Sequence, residues 1–311
     1  IAVSDHLYGL FFEDINQSAD GGLNAEMVIN NSFEFEYFSY DAHNCTVPVE
    51  LRQMKDKYWD IKGAGSHNIS TEGGIAPSNP SYLMLCIGGF YRLENPGYAV
   101  GGWNNYGMAL DKGKTYRFSM WVKPLGFEGT AEVYIRGKNG ELTTKSEIVL
   151  SGNGGTWKKV CCSVNALKTE MGRLVIIFRG QGRIGVDYVS LLPEDVWGDP
   201  DKYRNGKLSP RIVQVLKECH PSFLRFPGGC VVEGDEVFEN QYRWRRTVGP
   251  LEKRRQIANT WGYMQSYAIG FYEYFCLCED LKMAPLPVVH CGLLCQIRVG
   301  EQRGEGYRRI M

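Results

Sequence analysis

Residues 223–234, Phe-Leu-Arg-Phe-Pro-Gly-Gly-Cys-Val-Val-Glu-Gly, constrain the fold more than any other stretch of the chain. Upstream, Ile212, Val213, Leu216 and Cys219 recur at helical spacing. A short apolar run then carries a single charge, Arg225, and breaks at Pro227-Gly228-Gly229. Helix, strand and glycine turn, in that order, predict a parallel α/β layer. In such layers ligands meet the chain where a strand ends and its loop begins. Gly228 and Gly229 let the backbone approach a ligand closely. Arg225 inside a strand is expected to need an anionic partner, because an unpaired buried charge is costly. A structural ion pair beside a tight turn satisfies that requirement, and so does the edge of a ligand site.

The flanking segments extend the α/β pattern. Leu7 to Phe12 reads as a strand ending in Glu13-Asp14, followed by a Gly21-Gly22 break and a short helix through Leu23, Met27 and Val28. Ser209-Pro210 opens a helix, with serine at the N-cap and proline at the first helical position. A second helix is predicted from about Ser266 to Lys282, and Pro285-Leu286-Pro287-Val288-Val289 reads as another buried strand. Strand, crossover helix, strand implies parallel pairing. Between about residues 36 and 195 the texture differs. Short β-rich runs such as Tyr116–Val122, Ala131–Ile135, Leu174–Phe178 and Val186–Leu191 alternate with turns such as Lys138-Asn139-Gly140 and Asn153-Gly154-Gly155. That spacing predicts an antiparallel β-sandwich inserted between the first two strands of the parallel part.

Composition narrows the function classes. In 311 residues, 35 Lys and Arg balance 35 Asp and Glu, which leaves no basic face for nucleic acid. No run is long enough to cross a membrane, and Ile1-Ala2-Val3-Ser4 is not a signal peptide. The missing initiator Met suggests that the true N-terminus is absent or processed. Thirteen per cent aromatic residues suits core packing and equally the flat platforms of sugar clefts. The ten cysteines do not form a small disulfide framework. Cys276, Cys278, His290, Cys291 and Cys295 are the sharpest metal-site alternative. Cys276 and Cys278, two apart on a helix, face different ways and cannot easily share one zinc ion, so buried free thiols and no metal are expected. Asn16, Asn30, Asn44 and Asn68 begin Asn-x-Ser/Thr triplets, which matter only in a eukaryotic secreted protein.

Leu7–Asn16, Ser18–Glu26, Asn31–Glu34, Phe223–Gly234, Thr247–Glu252 and Trp261–Asp280, taken together and in order, resemble the α-L-arabinofuranosidases of glycoside hydrolase family 51. The inserted region is similar to galactose-binding-like, jelly-roll carbohydrate-binding sandwiches of families 4 and 9, with Val186–Pro193 matching their closing strand. The resemblance implies a (β/α)₈ TIM barrel begun by residues 1–35, interrupted by a sandwich over 36–195 and continued over 196–311. It implies a retaining hydrolase, without cofactor, that removes terminal α-L-arabinofuranose from arabinoxylan, arabinan or related saccharides. Retention needs two carboxyl groups about 5–5.5 Å apart. In the family both are glutamates on later barrel strands, the acid/base following Gly-Asn. This chain has no Gly-Asn-Glu triplet, so neither catalytic glutamate is expected before Met311. Ile297–Met311 loses both apolar periodicity and resemblance, and a truncated or frameshifted reading frame is expected there.

What the resemblance leaves to this chain is a sugar-holding wall. Glu13 matches a glutamate that hydrogen-bonds the arabinofuranose hydroxyls, and Arg225 an arginine that lines the −1 subsite. Cys230, after Pro227-Gly228-Gly229, sits where relatives carry Asn or Cys facing the sugar; filling space beside the glycines accounts for it equally well. Gly228 and Gly229 belong to the same turn. Trp244 and Trp261 are further candidate walls, with core packing as the alternative for either, and Asn16-Gln17 departs from the Asn-His common in relatives. A second class of function is carbohydrate binding by the sandwich alone, with Tyr82, Tyr91, Tyr98, Trp103, Tyr106 and Trp121 as a platform. The oligomeric state is left open, a homo-oligomer of the full-length enzyme being admitted. The compartment is open too, with a secreted or periplasmic location ahead of a cytoplasmic one.

Overall fold

The computed structural model describes residues 4, 6–35, 54–98, 106–234, 240–259, 263–293 and 295. Strands dominate and helices are few. Contacts divide the chain into two units, one of Ile1–Ala25, Glu36–Met54 and Val196–Met311, the other of Glu26–Phe35 and Lys55–Asp195.

In the first unit the N-terminal strand, β1 (Leu10–Phe11), is shorter than the Leu7–Phe12 run suggested. No helix follows through Met27 and Val28; instead Ala19–Leu23 forms one π-helical turn. Gly21 and Gly22 explain the brevity, because two adjacent glycines carry a high entropic cost in a helix.

The second unit is antiparallel throughout. Its strands are β2 (Asp60–Ser70), β3 (Tyr82–Asn95), β4 (Met108–Leu110), β5 (Thr115–Gly137), β6 (Gly140–Glu141), β7 (Ser146–Gly152), β8 (Lys158–Asn165) and β9 (Glu170–Pro193). The order β2-β3-β9-β5-β6 forms the main path, with β4 on β9 and both β7 and β8 on β5. The runs 116–122 and 131–135, read from the sequence as separate strands, are one strand. So are 174–178 and 186–191. The register between β5 and β9 shifts across Leu125/Glu128, and that irregularity restores the core face. Even-numbered Tyr116, Phe118, Met120 and Val122 are buried before it, and odd-numbered Ala131, Val133 and Ile135 after it. A period-2 strand needs such a bulge to change which parity faces inward. Gly182 permits the bend: a Cβ there would lie 1.9 Å from the Gly126 carbonyl oxygen.

Glu26–Phe35 packs with this β unit, ten residues before the boundary expected at residue 36. Val28 and Phe33 enter the same apolar core as Leu85, Phe118 and Phe178. The Glu26 carboxylate accepts from Met27 N, Val28 N, Leu191 N and Ser190 Oγ, tying the segment to β9. Burial raises the Glu26 pKa to about 7 in spite of those bonds.

The first unit resumes with α1 (Pro210–Glu218), β10 (Phe223–Phe226), the single-turn α2 (Cys230–Glu233), β11 (Ile257–Ala258), β12 (Met264–Gln265), α3 (Phe271–Leu281) and β13 (Ala284–Pro287). Ser209 and Pro210 sit at the N-cap and N1 of α1, as their residue types predict. The second helix begins at Phe271, five residues later than predicted, because Met264-Gln265 pairs with Ile257-Ala258 in a hairpin. β1, β10 and β13 form a parallel sheet with β10 central, and Leu10 stands opposite Leu224 and Phe11 opposite Arg225. Beneath it Leu224, Phe226, Phe271, Tyr274 and Leu277 share one apolar core, the rings of Phe226 and Tyr274 stacking at 4.8 Å.

Candidate functional site

The parallel register brings the ends of β1 and β10 side by side, which sets Glu13 against Pro227-Gly228-Gly229. Phe12 N donates to Arg225 O at 2.8 Å and closes the ladder just before the two turns begin. Phe226–Pro227 is a cis peptide. Beyond it the Glu13 side chain crosses the glycines, and its Oε1 accepts from Val231 N at 3.0 Å. Glu13 is half-buried, and its Oε2 lies 3.7 Å from where a Gly229 side chain would begin.

Gly228 is required by this crossing. Its φ is +153°, and a Cβ would stand 2.5 Å from Glu13 Cγ. Gly228→Ala is therefore expected to push Glu13 aside and strip Val231 N of its acceptor, at a cost of about 1–3 kcal/mol. Amide hydrogen exchange should show lost protection at Val231 with protection kept at Leu224. Gly229→Ala, whose nearest neighbour is at ordinary contact distance, should leave both unchanged.

Arg225 departs from the expectation of an anionic partner. Among the described residues it makes no ion pair; its guanidinium lies 4.4 Å from the centre of the Phe11 ring, the residue directly opposite it in the register. Half-exposure explains why this is tolerated: the charge remains hydrated on one side and uses the ring face on the other. Cys230 is the first residue of α2, half-buried and a free thiol. Trp244 opens a 3₁₀ turn and is 44% exposed, its ring tilted against Phe271 and Arg245 lying over it. Its ring contacts are thus with α3 and its own turn, not with Glu13. Trp261 and Trp103 lie outside the described residues. Of the sandwich aromatics, Tyr82 and Tyr91 are buried; Tyr82 packs on Trp157, and the Tyr91 hydroxyl meets His67. Tyr98, Tyr106 and Trp121 are half-exposed. No group of three or more His, Cys, Asp or Glu among the described residues could hold a metal ion, and each described cysteine is a free thiol.

What sequence reasoning missed is the scaffold under Glu13. Asp14 turns inward and is 3% exposed. Its carboxylate accepts from Ala19 N at 3.0 Å and Gln265 Nε2 at 3.1 Å. Its carbonyl accepts from Tyr263 Oη at 2.6 Å and Asn259 Nδ2 at 3.0 Å. The β11–β12 hairpin thereby clamps a turn some 245 residues earlier in the chain. Asp20 is also buried and accepts from Ser266 N, Ser266 Oγ and Asn24 Nδ2. Burial and the neighbouring Asp20 hold the Asp14 pKa up at about 7, and burial raises Asp20 too. An acid followed six residues later by a second, Asp14 and Asp20, is the one signal that pointed here.

Parallel strands that end in a carboxylate folded over a glycine turn make a candidate α/β ligand site, carried in one chain with an antiparallel β unit. Residues 215–306 match the α-L-arabinofuranosidase 1 domain. The chain is 36% identical over 299 residues to the extracellular exo-α-L-arabinofuranosidase of Streptomyces chartreusis, covering 93% of this chain and 33% of that protein. It is 29% identical over 307 residues to α-L-arabinofuranosidase 1 of Arabidopsis thaliana, covering 94% and 41%. The solved structure of an arabinose-bound GH51 α-L-arabinofuranosidase superposes with a TM-score of 0.78 at 23% identity, over 99% of this chain and 48% of that one, and so shares its fold. The chain is a relative of the α-L-arabinofuranosidases, and it spans a third to a half of the length of these matches.

Proposed function

We propose that this chain forms the N-terminal, sugar-holding part of a retaining α-L-arabinofuranosidase, a glycoside hydrolase acting on terminal α-L-arabinofuranosyl groups of arabinoxylan, arabinan or related saccharides. The observation that carries the reading is Glu13, drawn over Gly228-Gly229 at the ends of two parallel strands. One carboxylate oxygen is engaged by Val231 N, and the other is placed to accept from a hydroxyl. Arg225 adds a cation whose guanidinium has no carboxylate partner among the described residues, beside that carboxylate's strand. Gly228 and Gly229 supply the close approach, Cys230 the start of the next wall, and Trp244 and Trp261 its candidate outer edges. In this reading the parallel sheet is the opening of a (β/α)₈ barrel, and the β unit is a jelly-roll module inserted after its first strand and turn. Like the Streptomyces relative it would work outside the cell.

The chain contains no Gly-Asn-Glu triplet, and the acid/base and nucleophilic glutamates are assigned to sequence beyond Met311. Two carboxyl groups acting in turn are needed to form and hydrolyse a glycosyl intermediate. The expected outcome is that purified chain releases no aglycone from an aryl α-L-arabinofuranoside; measurable release would place both carboxyls within it. The binding half is tested separately. Titration with an arabinose oligosaccharide should shift the Glu13, Arg225 and Cys230 amide resonances, and Glu13→Ala should abolish the shifts. Unmoved resonances at millimolar ligand would refute the sugar wall.

A further inference from the structure

Behind Pro227 lies a small cavity lined by Asp14, Ala19, Asp20, Pro227, Tyr242, Gln265, Tyr267, Ile269 and Tyr274, with room for about one water molecule. Each of these residues is buried. Its chemistry is unbalanced in a specific way. Two carboxyl groups that repel one another share the lining, each with some protein donors already in place. Tyr267, 4% exposed, presents a hydroxyl with no hydrogen-bond partner among the described residues. A buried hydroxyl left unsatisfied costs about 1–3 kcal/mol, and the polar lining makes a dry cavity unfavourable.

We infer that this cavity is a binding site for a single internal water, which accepts from the Tyr267 hydroxyl and donates to Asp14 and Asp20, the two carboxyl groups holding one proton between them. Three hydrogen bonds are the usual complement of a buried water. The shared proton removes the repulsion that two buried carboxylates would otherwise suffer. The pair lies directly beneath the turn that carries Glu13, so its proton inventory sets how firmly that turn is held. This inference concerns the fold of the turn and stands whether or not the sugar wall does.

The other ionisable groups facing the pair are accounted for. Tyr263 comes from the hairpin, Tyr242 and Tyr267 from the loops, and Tyr274 from α3. Each phenol is pushed up by burial and stays neutral. Arg246 and Arg255 act on Tyr267, and the Arg254–Glu273 pair acts on Tyr242. Among the described residues neither Asp14 nor Asp20 is paired with a cation.

The sign of the linkage follows. Asp14 has a folded pKa near 7, above its unfolded value of 3.8. The folded state therefore binds more protons between those values, and this group's stabilisation is full below about pH 4 and lost as pH rises to about 7. Asp20 and, in the other unit, Glu26 share the sign, so the Asp14 contribution is read as a difference between proteins. In the full chain, the unfolding constant of wild type relative to Asp14→Asn is expected to rise by about 10²–10³-fold between pH 4 and pH 7. Equal pH dependence in the two proteins would overturn the shared proton. A high-resolution crystal structure of the wild-type chain should show one solvent peak within hydrogen-bonding distance of Tyr267 Oη, and Tyr267→Phe should remove it. An empty cavity overturns the water. So does a melting temperature that changes when potassium or sodium is replaced by choline at constant ionic strength, since that identifies a metal cation as the occupant. The wild-type crystal and salt measurements stand even where a variant fails to fold.

Discussion

Replacing Arg254 by Met is expected to destabilise the α/β unit by about 3–5 kcal/mol, the cost of stripping one partner from a fully buried ion pair. Arg254 and Glu273 are both 0% exposed. The guanidinium meets the carboxylate through two nitrogens, at 2.7 and 3.0 Å, and donates also to the carbonyls of Gly249, Tyr267 and Ala268. Glu273 further accepts from Gly270 N at the start of α3 and from Gly206 N. One pair thus fixes three loops, those of Gly206, Gly249 and residues 267–270, around the helix that supports β10. Urea unfolding should report the loss, with protection from hydrogen exchange falling first at the α3 amides. A double replacement, Arg254→Met with Glu273→Leu, should recover part of it, because no charge is then left buried. If the single variant unfolds at the wild-type midpoint, neither the pair nor the guanidinium's bonds to the three carbonyls contributes to stability.

Glu94→Ala is expected to have a comparable effect in the β unit, nearer 3 kcal/mol. Glu94 is 1% exposed and gathers three arginines: Arg136 at 2.7 Å, Arg92 at 3.4 Å and Arg173 at 3.5 Å. Arg136 and Arg92 keep about a third of their side chains in solvent and can turn outward. Arg173, 9% exposed, cannot, and would be left as a buried charge without its counterion. The resulting fall in stability should appear as faster hydrogen exchange along β3 and β9, whose pairing brings Glu94 opposite Val175. Glu94→Gln tests the charge against the shape. Retaining the volume while losing the charge should cost most of the same amount.

The two predictions fall on residues that the sequence did not single out, and the reason is the same for both. Glu94, Arg173, Arg254 and Glu273 look like ordinary surface charges when read along the chain, because what makes them costly to remove is burial produced by distant segments. The opening motif was legible for the opposite reason. A helix with Ser209-Pro210 at its start, an apolar run and Pro227-Gly228-Gly229 are local signals, and α1, β10 and the turn follow from them with little help. The register of β5 against β9 was not legible, since the bulge near residue 126 that reverses the buried parity is set by partner strands. Likewise 266–270 reads as helix by period, but pairing at Met264-Gln265 delays α3 to Phe271.

The sequence by itself determined the kind of protein: an α/β part with parallel strands, a β-rich segment between its first two strands, and the motifs that relate it to the α-L-arabinofuranosidases. These depend on residue type and spacing over a few turns of chain, where hydrophobic period, proline and glycine act locally. Only the tertiary structure decided what those residues touch. It laid Glu13 over Gly228, gave Arg225 the Phe11 ring in place of a carboxylate, and closed Asp14 and Asp20 in one cavity under a hairpin some 245 residues away. Electrostatic environment and burial are properties of what surrounds a group in space, and a chain read one residue at a time carries them only implicitly.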